Sequence, residues 1–243
     1  MTNATDKSAL VVSAHSADFV WRAGGAIALH ARHGFKVAVV CLSYGERGES
    51  AKLWRQEGMT LETVKTERRK EAERAAAILG VARLEFFDLG DYPMHVPDAA
   101  FHRLVDLYRA IRPSFVLTHS LADPYNFDHP LTTQVAQHAR VVAQAHGHKP
   151  GEPVLGAPPV FLFEPHQPEQ CGWKPDVLLD ITQVWGEKRR AIEAMAGQEH
   201  LWEYYTRVAL QRGVQAARNS DRKGIEYAEG YQSVFPHVLE RLT

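Results

Sequence analysis

Thirteen histidines in 243 residues make this chain rich in a side chain that binds metals and moves protons near neutral pH. His15 and Asp18 lie three apart, directly after the apolar run Ala9-Leu10-Val11-Val12. His129 stands just after Asp128, at the start of an amphipathic segment that follows Phe115-Val116-Leu117. Two imidazoles and one carboxylate suit a zinc ion with positions left open for water or substrate, and the same set can hold iron(II). By spacing alone the His15–Asp18 pair is equally compatible with a capped turn, His15 filling it and Asp18 serving as N-cap.

The elements that must carry these residues alternate. Apolar runs at Ala9–Val12, Val37–Leu42, Leu84–Phe87, Phe115–Leu117, Val160–Phe163 and Val177–Ile181 read as strands. Between them lie helical patterns at Val20–Arg32 with a stop at Gly34, at Leu61–Leu79 with a stop at Gly80, at Phe101–Ile111 ended by Arg112-Pro113, and from Asp128 to Gly147 with Pro130 in its first turn. Strands alternating with helices imply an α/β protein built of βαβ units, with a mostly parallel sheet covered by helices on both faces. From Gln183 onward the pattern is mostly helical, a C-terminal extension. The stretch Gly147 to Pro159 resembles a linker but does not divide the chain, so 1–243 reads as one domain.

In open parallel sheets ligands bind outside the carboxyl ends of the strands. Five of the predicted strands run into loops bearing ionisable residues: Ser13 to Asp18, Ser43 to Glu49, Asp88 to Tyr92, Thr118 to His129, and Glu164 to His166. These loops would converge on one rim. The rim lacks a glycine-rich dinucleotide turn, because His15 and Asp18 occupy it and Gly24-Gly25 comes too late. No P-loop and no G-x-S-x-G elbow is present. What remains is metal chemistry, or acid–base chemistry by carboxylates and imidazoles.

Composition excludes other classes. With 28 Lys+Arg against 29 Asp+Glu, there is no basic excess for nucleic acid or a membrane surface. The polar segment Met1 to Lys7 has no secretory character, and Pro153 to Phe163 is too short and proline-broken to span a bilayer. Cys41 in a buried strand and Cys171 in a loop form no disulfide framework, so a reducing cytoplasm is expected.

The segment VVSAHSADFVWRAGG, closing on Gly25, resembles the opening A-H-P-D-D motif of the PIG-L (LmbE-like) zinc deacetylase superfamily, and DPYNFDHPLT, Asp123 to Thr132, resembles its H-P-D-H motif. The Gly45-Glu46-Arg47-Gly48 loop and the charged helix through Arg69 and Glu73 follow the family's order. The resemblance implies a Rossmann-like fold with one Zn2+ per chain, or another divalent metal, at His15, Asp18 and His129. Two positions depart from the pattern. Ala17 stands where the family's general base is an Asp, and Asn126 where a His assists the transition state. Longer stretches, including CLSYGERGESAKLW, THSLADPYNFDHPL and GAPPVFLFEPHQPEQC, resemble the superfamily's 4-oxalomesaconate hydratase branch, whose reaction adds water to a carbon–carbon double bond.

That resemblance implies a cytosolic hydratase acting on a small tricarboxylate, with the N-deacetylase as the alternative. Ala17 being inert, the base must come from another loop. Glu49 is preferred, because Glu46 fills the superfamily's usual loop position and reads as structural. His166 is the expected acid or enolate stabiliser. Asn126, Asp128 and the arginines Arg47, Arg212 and Arg218 are the expected substrate contacts. Trp202, Tyr204 and Tyr205 read as core or subunit contact, and a homo-oligomer is expected.

Overall fold

A computed structural model describes residues 7–238; most of the polar segment Met1 to Lys7 therefore lies outside the described residues. Among them, seven strands form one sheet in the order β3-β2-β1-β4-β5-β7-β6. These are β1 (Ser8–Ser13), β2 (Lys36–Cys41), β3 (Arg83–Phe86), β4 (Phe115–Thr118), β5 (Val160–Phe163), β6 (Val177–Asp180) and β7 (Ala228–Ser233). The pairings among β1 to β5 are parallel, and β7 is antiparallel to both β5 and β6.

All six residues of β1 are buried, which is why its sequence reads as a continuous apolar run rather than an alternation. Its side chains nevertheless alternate between two cores. Ala9 and Val11 join α1 (Asp18–Arg32), α3 (Leu61–Leu79) and α6 (Trp185–Glu193) on one face. Leu10 and Val12 join α4 (Asp98–Ile111) and α5 (Asp128–Ala143) on the other. A four-residue helix, α2 (Ala51–Trp54), and the long α7 (Trp202–Arg218) complete the α-helices among the described residues, beside three short 3-10 turns.

Local chemistry sets most boundaries. At the start of α3, Thr60 and Thr63 bond reciprocally in a capping box, and the helix stops at Gly80, whose φ of 75° favours glycine. Two expectations need correction. The helix opening at Asp128 ends at Ala143, four residues short of Gly147. There the Ala143 carbonyl accepts from the Leu155 amide (3.0 Å) and from Arg109 Nε (3.2 Å), which turns the chain away. The C-terminal part is also not purely helical, because β7 returns and inserts between β5 and β6.

The Ala-Glu-Gly-Tyr-Gln-Ser sequence of β7 is no strand pattern; tertiary partners make it one. The buried Glu229 carboxylate accepts from the Gly25 amide (2.7 Å), the Ala26 amide (2.8 Å), Lys188 Nζ (2.6 Å) and the Tyr231 hydroxyl (2.6 Å). A charged group can be buried at this cost only with such partners. Gly25 is where α1 admits them: a Cβ there would lie 2.6 Å from Ile181 and 2.9 Å from Glu229 Oε1.

Strand succession reverses direction between β1 and β4, which are neighbours in the sheet. That switch point opens a crevice at their carboxyl ends. Among the described residues no helix is long and apolar enough to cross a membrane.

Candidate metal centre

His15, Asp18, Glu49 and His129 converge above this crevice, with one ligand atom from each within 4.8 Å of all the others. His15 follows β1 and Asp18 opens α1; Glu49 lies in the loop after β2, and His129 in the first turn of α5 after β4. His15 and Asp18 are drawn together by the turn itself, since Asp18 Oδ2 accepts the His15 amide at 2.9 Å. Asp18 therefore does hold its own turn together, as a capped turn would. It also meets Arg22 on its own helix, and across the crevice it faces His119 and His129, each at 3.5 Å.

The orientation of each imidazole is fixed from behind. His15 turns Nδ1 toward Asp18 Oδ2 and Glu49 Oε1, both at 3.1 Å, and Nε2 toward Asp128 Oδ2 at 3.3 Å. His129 Nδ1 donates to Asp123 Oδ2 at 2.8 Å, since a carboxylate can only accept. Its Nε2 points inward, 3.5 Å from Asp18 Oδ1 and 4.0 Å from Glu49 Oε1. That atom is buried without a hydrogen-bond partner among the described residues. A buried imidazole nitrogen left bare, with carboxylates around it and an Asp behind it, is the arrangement of a metal ligand and its supporting shell. The residues fit a divalent cation.

The electrostatics are those of a site crowded with carboxylates. Burial alone would push the His15 imidazole down, but Glu49, Asp128 and Asp18 outweigh it and hold it well above 6.5. Burial opposes ionisation of Asp18, yet His129, His119 and His15 keep it well below 3.8. Glu49 is likewise held below 4.5 against its burial, chiefly by His15. These carboxylates are charged at neutral pH and available to a cation.

The other expected residues fall into distinct places. Asn126 reaches the cluster: its Nδ2 faces Glu49 Oε1 at 3.4 Å, while Oδ1 accepts the Asp128 amide at 3.1 Å. Asp128 takes the Tyr92 and Met94 amides at 3.1 and 2.9 Å, and so stands behind His15. Glu46 is sealed from solvent; it accepts the Tyr44 amide at 3.1 Å, and burial, with Asp91 adding, pushes it up. His166 stacks on Tyr204 with ring centroids 4.2 Å apart, and burial together with Arg22 pushes its imidazole down. Ala17 is fully buried and offers no carboxylate.

The arginines differ from expectation. Arg47 Nη1 donates to the Asp91 carbonyl at 2.8 Å, tying two rim loops together. Arg212 gives its fork to Glu164, Nε to Oε2 at 2.8 Å and Nη2 to Oε1, and Nη1 to Gln215 at 2.7 Å. Its donors are thus taken by the protein, and it is not an open substrate clamp. Arg218 is the last residue of α7, whose Tyr204 is the one touching His166; at ~1.5 Å per residue it lies roughly 21 Å further along that helix. It too is removed from the crevice. Tyr205 is core, stacked on Trp21 with centroids 5.3 Å apart.

Four residues at the site carry no signal in spacing. His119, after β4, stacks on His129 (centroids 4.1 Å, 18° between planes), and its Nε2 accepts the Ala14 amide at 2.9 Å, so it is a neutral plate; burial and His129 push it well below 6.5. Asp123 backs His129. Tyr92 lies over His15 at 6.1 Å between centroids, its phenol pushed up to about 12 by burial and Glu49. Arg22, four residues after Asp18 on α1, donates from Nε to Asp18 Oδ1 at 3.4 Å.

Residues 10–140 match the family described as PIG-L: GlcNAc-PI de-N-acetylase. Over 99% of its length the chain is 66% identical to 4-oxalmesaconate hydratase of Pseudomonas putida, covering 94% of that protein. It is 26% identical to diacetylchitobiose deacetylase of Thermococcus kodakarensis, over 96% of this chain and 86% of that one. Among solved structures, GalB, the 4-carboxy-2-hydroxymuconate hydratase of Pseudomonas putida KT2440, superposes with a TM-score of 0.95 at 67% identity, over 98% of this chain and all of that one.

Proposed function

The chain belongs to the PIG-L family, and from that premise we infer that it is a hydratase, a hydro-lyase that adds water to the carbon–carbon double bond of 4-oxalomesaconate to give 4-carboxy-4-hydroxy-2-oxoadipate. One observation carries this over amide hydrolysis. The carboxylate free to act at the cluster belongs to Glu49, on the loop after β2, while position 17, where the family's deacetylases keep their base, is a buried alanine.

The ligand set supports a divalent ion, zinc by preference, at His15, Asp18 and His129. Such an ion, when bound, acidifies water or polarises a substrate oxygen. The protein's own groups do the rest. Glu49, ionised and steadied by Asn126, accepts the proton of the attacking water through a carboxylate oxygen. His166, held neutral on Tyr204, donates a hydrogen bond to the enolate oxygen that develops after attack, and the proton that Glu49 took from water is the one delivered to carbon. Asp128 and Asp123 fix the two imidazoles, and Glu46 closes its loop. Arg47 stands at the rim for an incoming carboxylate.

A role in gallate and protocatechuate degradation follows from that substrate. A reducing cytoplasm is consistent with two free cysteines, Cys41 and Cys171. We read the working form as a single-domain chain in a homo-oligomer, in keeping with exposed apolar side chains such as Phe127 (82%) and Val141 (58%).

The test is direct. Metal-loaded protein mixed with 4-oxalomesaconate should abolish the conjugated ultraviolet absorbance, and should not hydrolyse an N-acetylglucosamine conjugate at a useful rate. Robust amide hydrolysis without hydration would restore the deacetylase reading.

A further inference from the structure

An anionic substrate meets an electrostatic difficulty in this crevice. Asp18 and Glu49 in the cluster, with Asp123 behind His129 and Asp128 behind His15, bring four carboxylates to it. One divalent cation offsets half of that charge. A tricarboxylate would therefore enter a net negative site unless the protein supplied another cation at the floor. The arginines expected from the sequence do not do so: Arg212 is committed to Glu164, Arg218 is remote, and Arg47 is tied to Asp91 at the exposed rim.

Arg22 does reach the floor. Its side chain is 5% exposed. Nε donates to Asp18 Oδ1 at 3.4 Å, the same oxygen that lies 3.5 Å from His129 Nε2. Nη1 donates to the Glu164 carbonyl at 2.8 Å, two residues before His166. The guanidinium thus bridges the metal-ligand turn after β1 and the loop that carries His166 after β5. Nη2 has no acceptor among the described residues, and it is not among the buried polar atoms sealed without a partner. A guanidinium can hold two fixed partners through two of its nitrogens and still offer the third to a ligand carboxylate, which the single nitrogen of a lysine cannot reproduce.

We propose that Arg22 is a specificity-determining residue, whose guanidinium, buried between Asp18 and the Glu164 carbonyl, anchors one carboxylate of the substrate beside the metal centre. The inference rests on the hydratase reading for its tricarboxylate substrate. It goes beyond that reading in assigning the buried cation that distinguishes a carboxylate-bearing substrate from a neutral sugar amide.

The experiment reads binding, not turnover. Wild-type, Arg22→Lys and Arg22→Met proteins, each loaded with zinc, are titrated calorimetrically with propane-1,2,3-tricarboxylate, and their metal content is measured alongside. The expected result is tricarboxylate affinity weakened roughly 10²-fold in Arg22→Met, within the range for truncating one partner of a buried charge pair. Arg22→Lys should recover only part of it, and stoichiometric zinc should be retained in both. Unchanged affinity in Arg22→Met overturns the proposal. So does loss of zinc in both variants, which would make Arg22 a support for Asp18 and nothing more. A wild-type protein that binds the tricarboxylate but does not hydrate 4-oxalomesaconate fails the functional reading while leaving the anchor intact.

Discussion

Replacing Glu49 with glutamine keeps size and removes basicity, and the surroundings of Glu49 set how large the loss should be. General-base catalysis contributes typically 10²–10⁴-fold, about 2.7–5.4 kcal/mol at about 1.36 kcal/mol per decade. The position within that range depends on whether a neighbouring carboxylate can stand in. Asp18 is engaged by the His15 amide and Arg22, Asp128 by the Tyr92 and Met94 amides, and Asp123 by His129. Each is turned toward an imidazole or an amide and away from open space. With no substitute, the loss should fall in the upper half, roughly 10³–10⁴-fold in kcat, with KM little changed because the interaction belongs to the transition state. The matched control is Glu46→Gln, whose carbonyl can still accept the Tyr44 amide that Glu46 accepts now; its rate should stay within about tenfold of wild type. Hydration of 4-oxalomesaconate is followed spectrophotometrically and zinc is quantified in each preparation, since Glu49 also stands within ligand range. A Glu49→Gln enzyme within a few-fold of wild type, with its zinc in place, would refute the base assignment. An inactive Glu49→Gln enzyme that has lost its zinc would make Glu49 a fourth ligand instead.

Three further outcomes are expected. Asp123→Asn weakens the hydrogen bond behind His129 and should lower zinc affinity about 10–100-fold, read by competition with a chromophoric chelator; unchanged affinity would remove Asp123 from the supporting shell. Gly25→Ala puts a Cβ 2.6 Å from Ile181 and should destabilise the fold by about 1–3 kcal/mol, seen as a lowered urea midpoint; a midpoint equal to wild type would show that α1 accommodates the methyl group. His30 is held below 6.5 by its burial beside Phe35 and Phe115, so the unfolded chain takes up its proton first, and stability is lost as pH falls through about 6.5. His30→Phe should flatten that decline relative to wild type in urea melts from pH 7.5 to 5.5, and parallel curves would show that His30 does not contribute to it.

What the sequence made legible was whatever is written locally. The β1 and β5 runs are apolar because both of their faces are covered, and the α3 limits are carried by Thr60 and Gly80. The His15–Asp18 turn could be found because its two residues are adjacent in sequence as well as in space. Residues that join the site through long-range packing left no such trace. His119 becomes a plate only because α5 sets His129 upon it, and Arg22 becomes a buried cation only because Glu164 arrives from 142 positions away. Arg212 misled for the converse reason: nothing in its neighbourhood along the chain shows that Glu164 will occupy its fork. β7 was hidden because its glutamate is polar in sequence and buried by partners on α1 and α6.

The reach of Glu229 into α1 bears on the order in which the protein can mature during translation. The Gly25 amide and the Glu229 carboxylate are 204 positions apart, and closing so long a loop is entropically slow compared with forming local structure. A growing chain on the ribosome exposes β1, α1 and β2 early, yet the middle of α1 has neither its carboxylate partner nor the Lys188 charge that neutralises it until nearly the whole sequence has emerged. The middle of α1, synthesised among the first, thus completes its hydrogen bonding to Glu229 among the last.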